Sequence, residues 1–552
     1  MSIKAYIKSS MDIVFADSQI KEDSFSEIKA LSNQPVSFQL AYVFENDDEH
    51  MIYKTRNLKV EIESEIKDYI NLYYVNTVPA TVIGGLTFDD WFVTTKPTLY
   101  PDPCERINDG KVAAVSFQWA SIWVNINEDA EDIPSGEYEI RIKLSNLRDN
   151  EETKEFEKVI KIKIADAKLN EQKRYVTNWF HYDCISELSG TKPFSKEFYK
   201  FFKEYVSLAV KNGQNTILTP AFTPALDTEI GCERKTAQLV AIEKTGDKYT
   251  FDFSKLKEFT DFCQSIGMKY FEHTHFFTQW GAKAAPKIVV KENGKNKKLF
   301  GWHTDATGKE YHSFLKAYIK ELKRFMKQNQ LTDKFVFHVS DEPSIRNKDT
   351  YVSASKLIHN ELKGFIICDA LHDVRFYDEG IVSTPVPCTI KAYDFIGKAE
   401  NMWMYYTGGE TVEYLTNRGI GTPAERQRIL GIQLYYYDIK GFLHWGYNAH
   451  HNVLCKKIIN PYISPDMGKE FMSGTSYLVY PSSSGANPSV RLFNHRDAFL
   501  DLALLEKAET IIGRAAVIKI IDEIMPDFSL RYRVKKEQIE LLTKKIIEVI
   551  EK

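Results

Sequence analysis

Residues Val336-Phe337-His338-Val339-Ser340-Asp341-Glu342-Pro343 set two neighbouring carboxyl groups at the end of a short β-branched and aromatic run. The run has the make-up of a buried strand that stops where its acids emerge. Two carboxyls at one place suit the cleavage of a glycosidic bond. One donates a proton to the leaving oxygen, and the other sets negative charge beside the developing oxocarbenium ion. Neighbouring residues on a regular strand face opposite ways, so shared work needs a bend. Pro343 cannot donate to a sheet ladder and makes an interruption there reasonable. Of the two, Glu342 is expected to be the proton donor, because a carboxyl in a low-dielectric pocket beside another carboxylate holds its proton toward neutrality.

Other side chains have chemistry to offer. His273 and His275 stand two apart, so on one strand they share a face and form the start of a metal site, which His372 and Asp369 could complete. The competing reading is that they bind sugar hydroxyls or lie in the core. Trp403 and Tyr405 form one same-face pair and Trp445 with Tyr447 another, suited to wall a sugar pocket. Asn448 is placed to bond a hydroxyl or to cap a loop. The loop Trp302-His303, after the basic stretch Lys291 to Lys298, is either a lid or plain solvated surface.

Composition narrows the class of function. The chain has 552 residues, too many for one core, and so reads as two to four domains. Net charge is -4 with both signs interspersed, which leaves no basic stripe for a phosphate backbone and excludes a nucleic-acid partner. No apolar run is long enough to span a bilayer. The start Met1-Ser2-Ile3-Lys4-Ala5-Tyr6 lacks the apolar core of a signal peptide, so a cytoplasmic location is expected. The seven cysteines are odd in number and scattered, as for reduced thiols. Aromatic residues reach 13%, enough to supply both core and sugar platforms.

The elements that must position these groups fall into three parts. Residues 1–168 hold period-two runs such as Val36 to Phe44, Leu58 to Ile62, Tyr138 to Leu144 and Val159 to Ile164, separated by polar turns, and predict a β-sandwich. From 169 to 480 strand-like runs alternate with helical ones. The strands begin at Tyr175, Asn215, Lys269, Phe335, Gly364, Gly380, Asn401 and Gly441. Eight strands in this length fit a (β/α)8 barrel, with a doubly wound sheet as the alternative. Residues 481–552 read as a helical segment packed on the barrel. The fold class is thus α/β and multidomain. Active sites of such barrels lie where strands end, and the ends here are polar and aromatic. Trp179, His181, His275, Asp369, Trp403, Tyr405, Trp445 and Asn448 are therefore the expected substrate contacts.

Several pieces together resemble glycoside hydrolase family 123, the β-N-acetylgalactosaminidases. They are Phe337 to Pro343, Met402-Trp403-Met404-Tyr405-Tyr406, Gly441 to Asn448, Tyr477-Leu478-Val479-Tyr480-Pro481 running into Ser489-Val490-Arg491, and Arg496-Asp497. Ala498 stands where relatives are expected to carry Gly. The resemblance implies an exo-acting retaining enzyme that removes terminal β-linked N-acetylgalactosamine (GalNAc) from an oligosaccharide or glycoconjugate, without metal or cofactor. The substrate's own 2-acetamido oxygen attacks the anomeric carbon and gives an oxazolinium ion. Asp341 would orient the acetamido N–H, Glu342 would act as acid and then base, and Tyr405 is the candidate to hold the acetamido oxygen. Two other readings stay open at this point. One is a retaining glycosidase with Glu272 or Glu410 as nucleophile. The other is a metal-dependent hydrolase built on His273 and His275.

Overall fold

The computed structural model describes residues 2–45, 56–85, 87–148 and 151–552. Ten strands come first: β1 (Ser2–Ser9), β2 (Glu27–Leu31), β3 (Val36–Glu45), β4 (Arg56–Glu63), β5 (Ile70–Ala80), β6 (Thr98–Arg106), β7 (Lys111–Ala114), β8 (Trp119–Ile126), β9 (Gly136–Arg148) and β10 (Glu151–Ala165). They form two five-stranded sheets, in the orders β1-β3-β8-β5-β6 and β2-β10-β9-β4-β7. The period-two runs explain the core. Phe38, Leu40, Ile122 and Val124 of one sheet join Leu58, Val60, Ile140, Ile142, Ile160 and Ile162 of the other in a single apolar cluster.

Eight parallel strands follow: β11 (Tyr175–Asn178), β12 (Thr216–Thr219), β15 (Tyr270–His273), β18 (Phe335–Phe337), β19 (Ile366–Leu371), β20 (Thr384–Pro387), β21 (Trp403–Tyr405) and β22 (Gly441–His444). Each pairs with the next from β11 to β20, β21 pairs with β22, and β22 returns to β11. Between β20 and β21 there is only an isolated bridge, Cys388 to Tyr405. The barrel is therefore nearly, not fully, closed.

The sixth strand lies at Thr384–Pro387, later than the Gly380 run that the sequence suggests. Pro385 and Pro387 disguise it, since proline is excluded from strands paired on both sides. The gap beside β20 leaves one side open and makes them tolerable. The expected alternation also lapses here, for the segment before β21 is a 3-10 stretch, Thr389–Asp394, rather than an α-helix.

Elsewhere helices intervene: α1 (Tyr182–Leu188) and α2 (Lys196–Lys211), α3 (Ser254–Ile266), α4 (Lys309–Gln328), α5 (Lys348–Glu361), α6 (Arg375–Asp378) and α7 (Ala424–Tyr436). In α2 the spacing of Phe198, Phe202, Tyr205, Val206 and Ala209 buries one face, and Ser195 caps the start by accepting from Phe198 N at 3.2 Å. A small sheet of β13 (Ala241–Thr245), β14 (Lys248–Asp252), β16 (Ile288–Glu292) and β17 (Lys295–Phe300), not expected from the sequence pattern, is inserted after β12 and β15.

After β22 come a hairpin, β23 (Val479–Ser482) and β24 (Gly485–Pro488), and helices α8 (Val490–Ile512), α9 (Arg514–Ile524) and α10 (Lys536–Ile550). Helix α8 lies against the barrel wall through Phe499 on Phe442 and His495 beside Asn178. Ion pairs lock the N-terminal part to the rest. Arg491 grips Asp102 at 3.0 and 2.9 Å, and Arg426 grips Asp89 at 2.8 and 2.9 Å. No helix among the described residues is long and apolar enough to cross a membrane.

Candidate active site

Strand β18 ends at Phe337, and the chain then leaves the ladder. Asp369, on β19, holds this departure, since its Oδ1 accepts from the backbone N–H groups of Val339 (3.0 Å) and Ser340 (3.3 Å). Glu342 adopts a left-handed backbone, φ +43°. Strand alternation is thereby broken, and both acids reach one cavity of about 370 Å³. Trp179, His181, Asp227, Trp280, His372, Tyr405 and Trp445 share its wall.

The two acids have different surroundings. Tyr405 donates its hydroxyl to Glu342 Oε1, and His372 Nε2 lies 3.1 Å from the same oxygen and 3.0 Å from the Tyr405 hydroxyl. Burial pushes the Glu342 carboxyl up, but these donors outweigh it and hold it below its ordinary value. The Asp341 carboxyl accepts no hydrogen bond among the described residues, although its backbone carbonyl accepts from Trp280 N–H at 2.7 Å. Burial and then the Glu342 charge push it well up. Of the two, Asp341 is thus the one whose surroundings favour the protonated form and Glu342 the one whose donors favour the anion. This reverses the expectation that Glu342 is the protonated member, and the cause is the pair of donors that the sequence did not assign to it.

Below the cavity runs a buried chain of charge. Glu272 accepts from Trp179 Nε1, Thr177 Oγ1 and His338 Nε2, each at 2.6 Å. His338 Nδ1 lies 3.5 Å from Asp369, whose other oxygen accepts from Tyr351. Burial alone would push the imidazole down, but Cys368, Glu272 and Asp369 more than reverse this, and His338 is held well above its usual value. This chain fixes both the Trp179 wall and the backbone that carries Asp341.

Of the expected contacts, Trp179, His181, Tyr405 and Trp445 line the cavity with the two acids. His181 has both ring nitrogens engaged, Nδ1 by Arg234 at 2.9 Å and Nε2 with the Trp445 carbonyl at 3.0 Å. Asp369 is wholly buried behind the wall. Trp403 shares a face with Tyr405 but lies deeper in the barrel, stacked on Tyr175 at 5.0 Å. Asn448 is buried in a brace with the His181 backbone, at 2.9 and 3.2 Å. Tyr447 points the other way from Trp445 and bonds the Tyr205 carbonyl.

The His273–His275 pair does not form. Strand β15 ends at His273, whose ring goes outward to Tyr318 (2.8 Å). His275 turns inward and stacks on His338 at 4.4 Å. Among the described residues two clusters have metal-like composition, His181-Asp183-Cys184-His451 and His275-His338-Asp369. Neither fits a cation well. Arg234 already caps Asp183 at 2.5 and 2.8 Å in the first, and in the second both His338 ring nitrogens already face carboxylates, Glu272 at 2.6 Å and Asp369 at 3.5 Å.

Glu272 is sealed in the floor. Glu410 is buried beside Thr389 (3.1 Å), where burial pushes its carboxyl up. Trp302 and His303 do not cover the site, and wall a separate hollow of about 320 Å³ with Lys287 and Lys298. Asp227, Trp280 and His372 as wall residues escaped the sequence reading. Asp227 and Trp280 sit on loops after β12 and β15, where no periodic pattern marks them; their only signal is that such loops gather at the same barrel end.

Comparison with known proteins agrees with this geometry. The model of the glycoside hydrolase 123 catalytic domain matches residues 179–508. A family 123 glycoside hydrolase from Clostridium perfringens superposes with a TM-score of 0.72 at 12% identity, over 100% of this chain and 97% of that one. A maltogenic α-amylase from Thermotoga neapolitana gives only 0.29 at 11% identity, over 60% and 76%, and carries no argument. The comparison with curated proteins finds no match. With three fifths of its length matched by that family's model, and a whole-chain fold like that of a solved member, the chain belongs to glycoside hydrolase family 123 and is a glycoside hydrolase.

Proposed function

We propose that this enzyme is an exo-acting, retaining β-N-acetylgalactosaminidase that works by substrate assistance. Its substrate is an oligosaccharide or glycoconjugate with terminal β-GalNAc, in keeping with the Clostridium perfringens enzyme, which is described in terms of glycolipid glycan hydrolysis. The architecture is read as a β-sandwich followed by a (β/α)8 barrel.

One observation carries the reading. Asp341 and Glu342 open side by side into one cavity, while Glu272 and Glu410, the alternative nucleophiles, are shut away from it. Adjacent acids are poorly placed to flank a glycosidic bond from opposite sides. They suit a reaction in which the sugar's acetamido oxygen attacks C1 and the enzyme supplies only orientation and a proton.

The sequence of events follows from the charge states. The acetamido N–H reaching Asp341 favours its anion, and the coupled proton moves toward Glu342. The Tyr405 hydroxyl leaves Glu342 for the acetamido oxygen, which further frees Glu342 to stay protonated. The C1–O bond breaks as the acetamido oxygen bonds to C1, and Glu342 gives its proton to the leaving oxygen. Asp341 balances the charge of the oxazolinium ion. Water then adds at C1 as Glu342 takes its proton, restoring the β-anomer. Holding the acetamide in near-attack geometry removes several kcal/mol of barrier.

Matched aryl β-GalNAc, β-N-acetylglucosaminide and unsubstituted β-galactoside test this. Cleavage is expected only where the acetamide is present, with β-configured first product by NMR. Asp341→Asn and Glu342→Gln are expected to lose at least ~10²- to 10⁴-fold in turnover. Efficient hydrolysis of the unsubstituted galactoside would falsify the mechanism.

A further inference from the structure

The cavity contains a third carboxyl with no part in the steps above. Asp227 stands on the loop after β12 in a left-handed conformation, φ +44°. Its Oδ2 faces the Cys455 thiol at 3.7 Å, and the Leu454 backbone N–H also donates to the carboxylate. Leu454 and Cys455 are themselves left-handed, φ +61° and +52°. Three strained residues thus meet at one carboxylate.

Asp227 also lacks a salt-bridge partner among the described residues. Arg234 influences it through charge, but spends its guanidinium on Asp183, on His181 Nδ1 at 2.9 Å and on the Leu226 carbonyl at 3.1 Å. A deep carboxyl without a cation is costly to hold, and burial pushes it up to about 6. Strain and an unpaired acid at a cavity wall together point to a ligand.

We infer that Asp227 reads the hydroxyl groups of the bound sugar at the end of the ring remote from the scissile bond. This rests on the reading of the cavity as a hexosamine site. A sugar ring presents pairs of O–H donors, and an ionised carboxylate is an acceptor through both oxygens. Asp341 and Glu342, arriving from β18, serve the acetamide and the glycosidic oxygen. Asp227 arrives from β12, two strands around the barrel, and is the remaining acid on a wall that is otherwise rich in tryptophan. Bonds to a charged acceptor in a dry site are strong and directional. An axial and an equatorial hydroxyl meet such an acceptor differently, so Asp227 separates epimers as well as holding the ring.

The test uses the intact enzyme with aryl β-GalNAc and its C3-, C4- and C6-deoxy analogues, on wild type, Asp227→Asn and Asp227→Ala. Loss of one hydroxyl is expected to cost wild type about 10- to 100-fold in kcat/KM. Asp227→Ala is expected to cost as much on the parent sugar and little further on that analogue, because both changes remove the same bond. Unchanged thermal melting of the near-isosteric Asp227→Asn controls for folding. Two results overturn the inference: full additivity of the variant and every deoxy penalty, or azide rescue of Asp227→Ala to an α-glycosyl azide, which would make Asp227 a nucleophile. Acetamide dependence in wild type is scored separately, so the site reading survives or falls on its own data.

Discussion

His372 and Tyr405 decide when Glu342 carries a proton. The Glu342 hydrogen bond raises His372 above its ordinary value, and the same contact lowers the carboxyl. Removing the imidazole returns Glu342 upward, so its acid form persists to higher pH. His372→Ala is therefore expected to move the alkaline limb of kcat/KM, which reports the free enzyme, to higher pH while lowering the maximum. A limb that stays put or moves down would detach His372 from the acid. Part of this residue-level picture was legible from the chain alone. Asp341 and Glu342 stand out because an apolar strand ends in two acids. Their unequal charge states were not legible, because His372 and Tyr405 reach them from β19 and β21, 30 and 63 positions further on.

Among elements, α7 and α8 approach each other closely at one glycine. A Cβ on Gly431 of α7 would come within 1.7 Å of the Ala498 carbonyl of α8. Gly431→Ala must push the helices apart, and is expected to destabilise by ~3 kcal/mol or more, seen as a lowered Tm. Undiminished melting would mean that the helices have room to shift. Strands with a clean two-residue period, such as β9 and β10, were legible because one face is buried and the other wetter, and β3 was legible by its period although both of its faces are covered. β20 was displaced because Thr-Pro-Val-Pro looks unlike a strand unless a gap is known to lie beside it. His273 and His275 misled for the opposite reason. A spacing of two predicts one face only while the strand lasts, and β15 stops at His273.

At the scale of the molecule, the two halves share buried charges. Arg491 and Arg426 belong to the catalytic part, while their partners Asp102 and Asp89 come from the N-terminal part. Breaking one such pair leaves a lone buried charge, worth roughly 3–5 kcal/mol. A chain starting at residue 169 would strand both arginines and is expected to be insoluble. Asp102→Asn in the whole protein is expected to lower the Tm of one cooperative transition; two separate transitions in the wild type would contradict this coupling. The charged floor of the barrel has a different consequence. His338 has a folded pKa raised well above the unfolded one. Its contribution to stability is complete below the unfolded value and fades only as pH climbs through the folded one. The foundation under Asp341 thus gives up this support only on the alkaline side, and the response of the site to acid is left to the donors that surround Glu342 above it.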